Sequence, residues 1–195
     1  MLYATFGIGS SNAAFQADIA GPKGQALIAA QALTQGVSQA VSIELATDLD
    51  HHDDDWADLH AGMLRTGFDA LDSLIGHLQS TEIPGTGKSF WDRTVLIAGS
   101  DFARTPYLNS RGGRDHHLAS SVLLAGMGLK GNTVIGATDD ETMAAVTIDP
   151  ATGAADPSGI SIRPADVHAT LLAAAGLDHS HLENQDPRVL SALLR

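Results

Sequence analysis

Two short, uninterrupted apolar runs limit the fold of this chain more than any other feature. Thr94-Val95-Leu96-Ile97-Ala98-Gly99 and Ser121-Val122-Leu123-Leu124-Ala125 are too short for buried helices, and neither alternates polar with apolar positions. A strand with one wet face alternates, whereas a strand apolar on both sides belongs inside a covered sheet. The β-branched run from Val41 to Ala46 reads as a further strand, and Thr133 to Ile135 as a short one.

Helical patterns lie between these runs. Leu27, Ile28, Ala30 and Leu33 recur at helical spacing within Gly24–Gln35, with Gly36 as a stop. A long amphipathic pattern runs from Trp56 through Leu59, Met63, Phe68, Leu71 and Leu74 to Leu78, behind three acids, Asp53 to Asp55, that suit a helix N-terminus. Pro164 opens a last helix, which Gly176 closes. Strands alternating with helices predict the α/β class, a three-layer α/β/α sandwich around a mostly parallel sheet. Residues 1–23 read as an irregular lead-in, and residues 24–195 as part of one such domain.

Composition narrows the partners. At 195 residues and 44% apolar content the chain supports a real core, and with 5% aromatics that core must be Ala, Leu, Ile and Val. A net charge of -12 argues against nucleic acid, whose phosphates require a basic stripe, and against anionic lipid. With no cysteine there are neither disulfides nor thiolate metal ligands. No apolar run approaches the roughly 20 residues that span a bilayer. Met1-Leu2-Tyr3-Ala4-Thr5-Phe6 lacks the basic start of a signal peptide, and localisation stays open.

In open parallel sheets, sites gather at strand carboxyl ends. Two predicted strand ends carry acids here: Asp48 and Asp50 with His51 and His52, and then Asp101. A third group, Arg114-Asp115-His116-His117, precedes the next strand. Carboxylate and neutral imidazole are the donors a divalent cation takes when thiolates are absent. The alternative is that Asp48 to Asp55 is a solvated, helix-capping acidic loop.

These pieces in order resemble an uncharacterised bacterial sulfatase-like family, domain of unknown function 1501. They are Leu49-Asp50-His51-His52, the long helix, and Arg93-Thr94-Val95-Leu96-Ile97-Ala98-Gly99-Ser100-Asp101-Phe102-Ala103-Arg104-Thr105-Pro106. Asn109, Gly112-Gly113-Arg114-Asp115-His116-His117, Leu124-Ala125-Gly126, Val134-Ile135-Gly136-Ala137-Thr138-Asp139 and Asp166-Val167-His168-Ala169-Thr170-Leu171 complete the series. The resemblance spans about residues 24–178 and places the chain with the alkaline phosphatase/sulfatase superfamily, as its carboxy-terminal portion.

The resemblance implies one metal held by Asp50, His52 and His116, with Asp101 contributing to a second. Phe102 stands where many relatives have a further His ligand, which puts the two-metal arrangement in doubt. His117 is expected behind the ligands. Arg104 and Arg114 would contact phosphate or sulfate oxygens, since a guanidinium fork matches such anions; ordinary loop salt bridges are the alternative. Zinc is the expected ion, with manganese, iron or calcium as alternatives. Relatives take their nucleophile from an earlier strand-loop, and nothing in residues 1–40 supplies one. The chain is therefore expected to lack that half, and to dimerise or bind its missing N-terminal half. Relatives are often exported.

Other features carry less. Gly85-Thr86-Gly87-Lys88-Ser89 imitates a phosphate-binding loop, but Glu82 occupies the position of its first glycine. His60, His77, His168, His179 and His181 read as surface residues, and Asp166 as a helix-dipole acid. The leading expectation is a metal-dependent phosphate- or sulfate-ester hydrolase domain acting on a small anionic ester. The rival is a non-catalytic, metal-stabilised structural or binding module.

Overall fold

The computed structural model describes Phe6 and residues 19–195, with only the backbone described for 183–185. The expected lead-in, residues 1–23, therefore falls mostly outside the described residues. The chain divides into two units. The first comprises Met1–Trp91 with Thr105–Asp115, and the second Asp92–Arg104 with His116–Arg195.

The first unit is built on two helices. Helix α1 (Pro22–Thr34) opens with Pro at its first position, where no N–H is needed, behind Gly21 in extended conformation. It buries Leu27 together with Gly24, Ala26, Ala29 and Ala30, small residues that let it pack against α2 (Trp56–Ser80). Gly36 ends α1 at φ +70°, and the N–H groups of Val37 and Ser38 return to the Ala32 carbonyl. On α2 the buried positions are Gly67, Ala70, Leu71, Leu74 and Leu78, the i, i+3, i+4 stripe of an amphipathic helix. No acid caps α2 through its side chain: Asp55 sits at the N-cap without such a bond. Asp53 pairs with Arg111 instead, at 3.1 Å.

The strand expected over Val41–Ala46 does not form. The Glu44 N–H donates to Gln25 Oε1 at 2.7 Å, and the Leu45 backbone presses on α2. A Cβ at Gly67 would lie 2.1 Å from the Leu45 carbonyl oxygen, so only glycine admits this packing. β-branched residues supply strand propensity, but the Glu44 donor is satisfied by a helix side chain and no strand pairs here. Beyond α2, β1 (Glu82–Ile83) and β2 (Lys88–Ser89) form an antiparallel hairpin whose turn places Gly85 and Gly87 at positive φ. The Gly85-Thr86-Gly87 segment is thus a hairpin turn.

In the second unit, β3 (Val95–Gly99) pairs antiparallel with β6 (Val122–Gly126), in register Val95↔Gly126 through Gly99↔Val122. Strands β4 (Ala103–Arg104) and β5 (His116–His117) form a second antiparallel pair. Every strand pair among the described residues is antiparallel, so the expected parallel sheet is not among them. Both apolar runs are strands, yet Ile97, Val122 and Leu123 stay exposed. Thr133–Ile135 is not a strand, and Val134 is 92% exposed.

The stretch that follows is organised by aspartate-led turns. Asp139 accepts the N–H groups of Glu141, Thr142 and Ala144, and Asp156 those of Ser158 N–H and Oγ–H. The Asp139 carboxyl is held down to about 2, first by the Thr142 hydroxyl and then by these backbone donors. Between the turns, Ile148 bridges Ala155 and Ile160 and is fully buried. Helix α3 (Pro164–Ala174) is fixed by Asp166, which is fully buried. Its carboxylate accepts the Arg163 N–H, the Arg163 guanidinium and the Arg188 N–H.

Candidate metal-binding site

Two loops of the first unit make the site. One, residues 49–55, leads into α2; the other, residues 105–115, returns alongside it. Asn109 shapes the second loop: its Oδ1 accepts the N–H groups of Arg111 and Gly113, at 2.9 and 3.1 Å. Its Nδ2 reaches outward, donating to the His52 carbonyl and to Asp115 Oδ1, each at 3.0 Å. Gly113 is the point of closest approach, since a Cβ there would fall 2.0 Å from the His52 carbonyl carbon. Gly112 takes φ +82° beside Asp54, and its carbonyl accepts the Trp56 indole N–H at 3.0 Å.

Arg114 braces the same loop. Its guanidinium lies 4.3 Å over the Trp56 ring, and Nη1 donates to the carbonyls of Thr105 and Pro106. Cation–π stacking and carbonyl contacts of this kind hold a loop. These Arg114 contacts are to a ring and to carbonyls rather than to a carboxylate or an anion.

His52 stands between two carboxylates. Its Nδ1 is 2.8 Å from Asp115 Oδ1, and its Nε2 is 3.0 Å from Asp50 Oδ1. A neutral imidazole has one N–H and one lone pair, so it can donate to only one of them. On the other side a proton or a metal ion must mediate between the nitrogen and the oxygen. Hydrogen bonds from Asn109 and then His52 hold the Asp115 carboxyl below the usual carboxylate range, and slight burial works against them. Asp115 therefore ionises more readily than a free aspartate.

The remaining expected residues are placed as follows. His51 is buried, with Nδ1 3.3 Å from Nδ1 of His60 and the rings edge to face; His60, expected at the surface, is half-buried there. In the second unit the His116 ring stacks on Phe102, centroids 4.0 Å apart and planes 24° apart. Phe102 thus gives the His116 ring a flat surface to rest on. The Arg104 guanidinium stands 5.4 Å over the same Phe102 ring. His117 Nδ1 lies 3.1 Å from the Ala119 carbonyl. Asp101 is exposed and accepts the Ser100 hydroxyl at 3.2 Å. Among the described residues, Asp101 joins no cluster of three ligand-type side chains. His168 and His181 are exposed and His179 is half-exposed.

Sequence reasoning put Asp115 in a candidate donor group and Asn109 in the resembling series, but gave neither a role of its own. A signal existed for each: an Asp directly before a candidate His ligand, and an Asn opening a turn-rich Asn-Ser-Arg-Gly-Gly run, where its side chain bonds the N–H two residues on as in an Asx-type turn.

The profile of a family described as "Protein of unknown function (DUF1501)" matches residues 7–186. No curated protein matches. No solved structure matches.

Proposed function

Since this chain belongs to the DUF1501 family, whose description assigns no activity, we propose its function from the site itself: it holds a divalent metal ion through Asp50, His52 and His116. The observation that carries this reading is the Asp50–His52–Asp115 arrangement, in which one imidazole nitrogen faces a carboxylate that it can approach only through a proton or a metal. His116 follows Asp115 directly in the chain, and its ring is held flat against Phe102. Two imidazoles and a carboxylate suit zinc best, then manganese or iron, and three protein ligands leave a position open.

We further propose that the domain works as a phosphate- or sulfate-ester hydrolase of the alkaline phosphatase/sulfatase type, with an α/β/α architecture of that kind. A bound ion would supply Lewis acidity toward the ester oxygens. In this reading Asp50 and His52 fix its position, Arg104 meets the anionic ester, and Asp101 contributes to a second ion. No nucleophile is assigned to a residue of this chain. The second reading, a metal-stabilised module without turnover, is favoured by Phe102, which occupies a ligand's place and packs on His116 instead.

Calorimetric titration with zinc and with manganese tests the metal, and an aryl-phosphate and aryl-sulfate assay tests whether the chain itself supplies a nucleophile. The expected outcome is about one ion bound, weakening as the imidazoles protonate. His116→Ala should abolish binding while His168→Ala and His179→Ala leave it unchanged. The isolated chain should not turn over either ester, for want of an activated nucleophile. Absence of binding at neutral pH would remove the metal assignment.

A further inference from the structure

We propose that Asp115 is a positioning residue: it holds His52 in the Nδ1–H form so that Nε2 is directed at the Asp50 side, and Asn109 fixes Asp115 for that purpose. This rests on the metal reading above for its purpose, but not for its geometry.

Either ring nitrogen of a histidine can carry the proton, and the partner of one decides what the other does. His52 Nδ1 lies 2.8 Å from Asp115 Oδ1, a charge-assisted hydrogen-bond distance. The same oxygen also accepts Asn109 Nδ2–H at 3.0 Å, so the carboxylate is held from behind. Asn109 simultaneously donates to the His52 carbonyl, tying backbone and ring of one residue to a single amide. The outcome is a histidine whose Nδ1 proton is spoken for and whose Nε2 faces a second carboxylate at 3.0 Å. Ligand histidines are oriented in this way by a carboxylate on the far nitrogen, which sets the tautomer and raises basicity.

Two measurements on the whole chain test the proposal, and they fail separately. Nitrogen-15 NMR of the metal-free protein reads the protonation of each His52 ring nitrogen. Nδ1 should carry a proton in the wild type, and Asp115→Ala should shift the ring toward the Nε2–H form. Asp115→Asn, which keeps an Oδ1 acceptor in place, should restore most of the Nδ1–H signature and serves if the alanine variant does not fold. Zinc titration is the second readout: Asp115→Ala should lose about 10–100-fold in affinity, with Asp115→Asn intermediate. An unprotonated Nδ1 in the wild type, or an unaltered ring in Asp115→Ala, would overturn the proposal whatever the metal does. If the tautomer shifts as expected but the wild type binds no zinc, the positioning stands and the metal reading alone is lost. Unchanged zinc affinity in Asp115→Ala, with binding intact in the wild type, would remove the role of Asp115 toward the ion.

Discussion

Asp115 and Asp166 are both aspartates held by several hydrogen bonds, yet they do opposite work. Asp166 is fully buried, and its carboxylate accepts the Arg163 N–H, the Arg163 guanidinium and the Arg188 N–H. Burial pushes its carboxyl up, but Arg163 and the two backbone donors outweigh that and leave it below the ordinary value. All its acceptor capacity serves helix α3 and the chain that returns past it. Asp115 is 55% exposed, and its partners are one amide and one imidazole. The imidazole has a second nitrogen, and that nitrogen faces another carboxylate. A carboxylate spent on backbone donors builds the fold, whereas one that orients a titratable ring leaves chemistry for a ligand.

The sharpest way to break this contrast is to remove each group and ask what fails. Asp166→Ala should destabilise the protein by on the order of 3 kcal/mol, because it strands two part-buried N–H donors and the Arg163 guanidinium and removes a helix cap. Denaturant unfolding measures it; a loss under about 1 kcal/mol would show that water replaces the carboxylate. Next in size is Gly113→Ala, where a methyl would collide with the His52 backbone. We expect a cost of about 1–3 kcal/mol from forced displacement, accompanied by weaker zinc binding. Stability lost without any change in zinc affinity would separate the loop from the site.

A third outcome concerns pH. The folded Asp166 carboxyl lies below its unfolded value of about 3.9. Its contribution is therefore complete above that pH and disappears as pH falls toward the folded value. The stability gap between wild type and Asp166→Asn should narrow below about pH 4 and stay constant between pH 5 and 7. A gap that widens in acid would reverse the assignment. The smallest effect is expected at Arg111→Ala. Its ion pair with Asp53 has both side chains 60% exposed, and such pairs contribute well under about 1 kcal/mol. Thermal unfolding in low and high salt should barely tell this variant from the wild type.

The helices were legible because periodicity survives in single residues: Leu71, Leu74 and Leu78 mark the buried stripe of α2, and Pro164 and Gly176 bracket α3. The two apolar runs were legible as strands, but not the direction of their pairing, which depends on a neighbour that local sequence does not name. Val41–Ala46 was misread because its propensity is for extended structure, while Gly67, twenty-one residues on from Ala46, decides that a backbone packs on a helix instead. In the site, Asp50 and His52 announced themselves by residue type. Asp115 and Asn109 did not, because orienting a histidine needs only reach and angle, which spacing within a loop does not reveal.

The crowding of bonds on Asn109 bears on how the molecule ages. The residue precedes Ser110, a small neighbour whose amide nitrogen can attack the side-chain carbonyl and expel ammonia. Such cyclisation requires the side chain to swing back onto the main chain, and four hydrogen bonds hold it away. The folded protein should therefore keep this asparagine long after an unfolded chain has lost it. Once hydrolysed to a carboxylate, the side chain would no longer have a donor for the His52 carbonyl and would repel Asp115. Peptide mapping of protein stored folded and stored in urea reads this directly, as a mass gain of about one unit on the Asn109 peptide. The chemistry thus turns a structural bracket into a slow clock that runs only while the first unit is open.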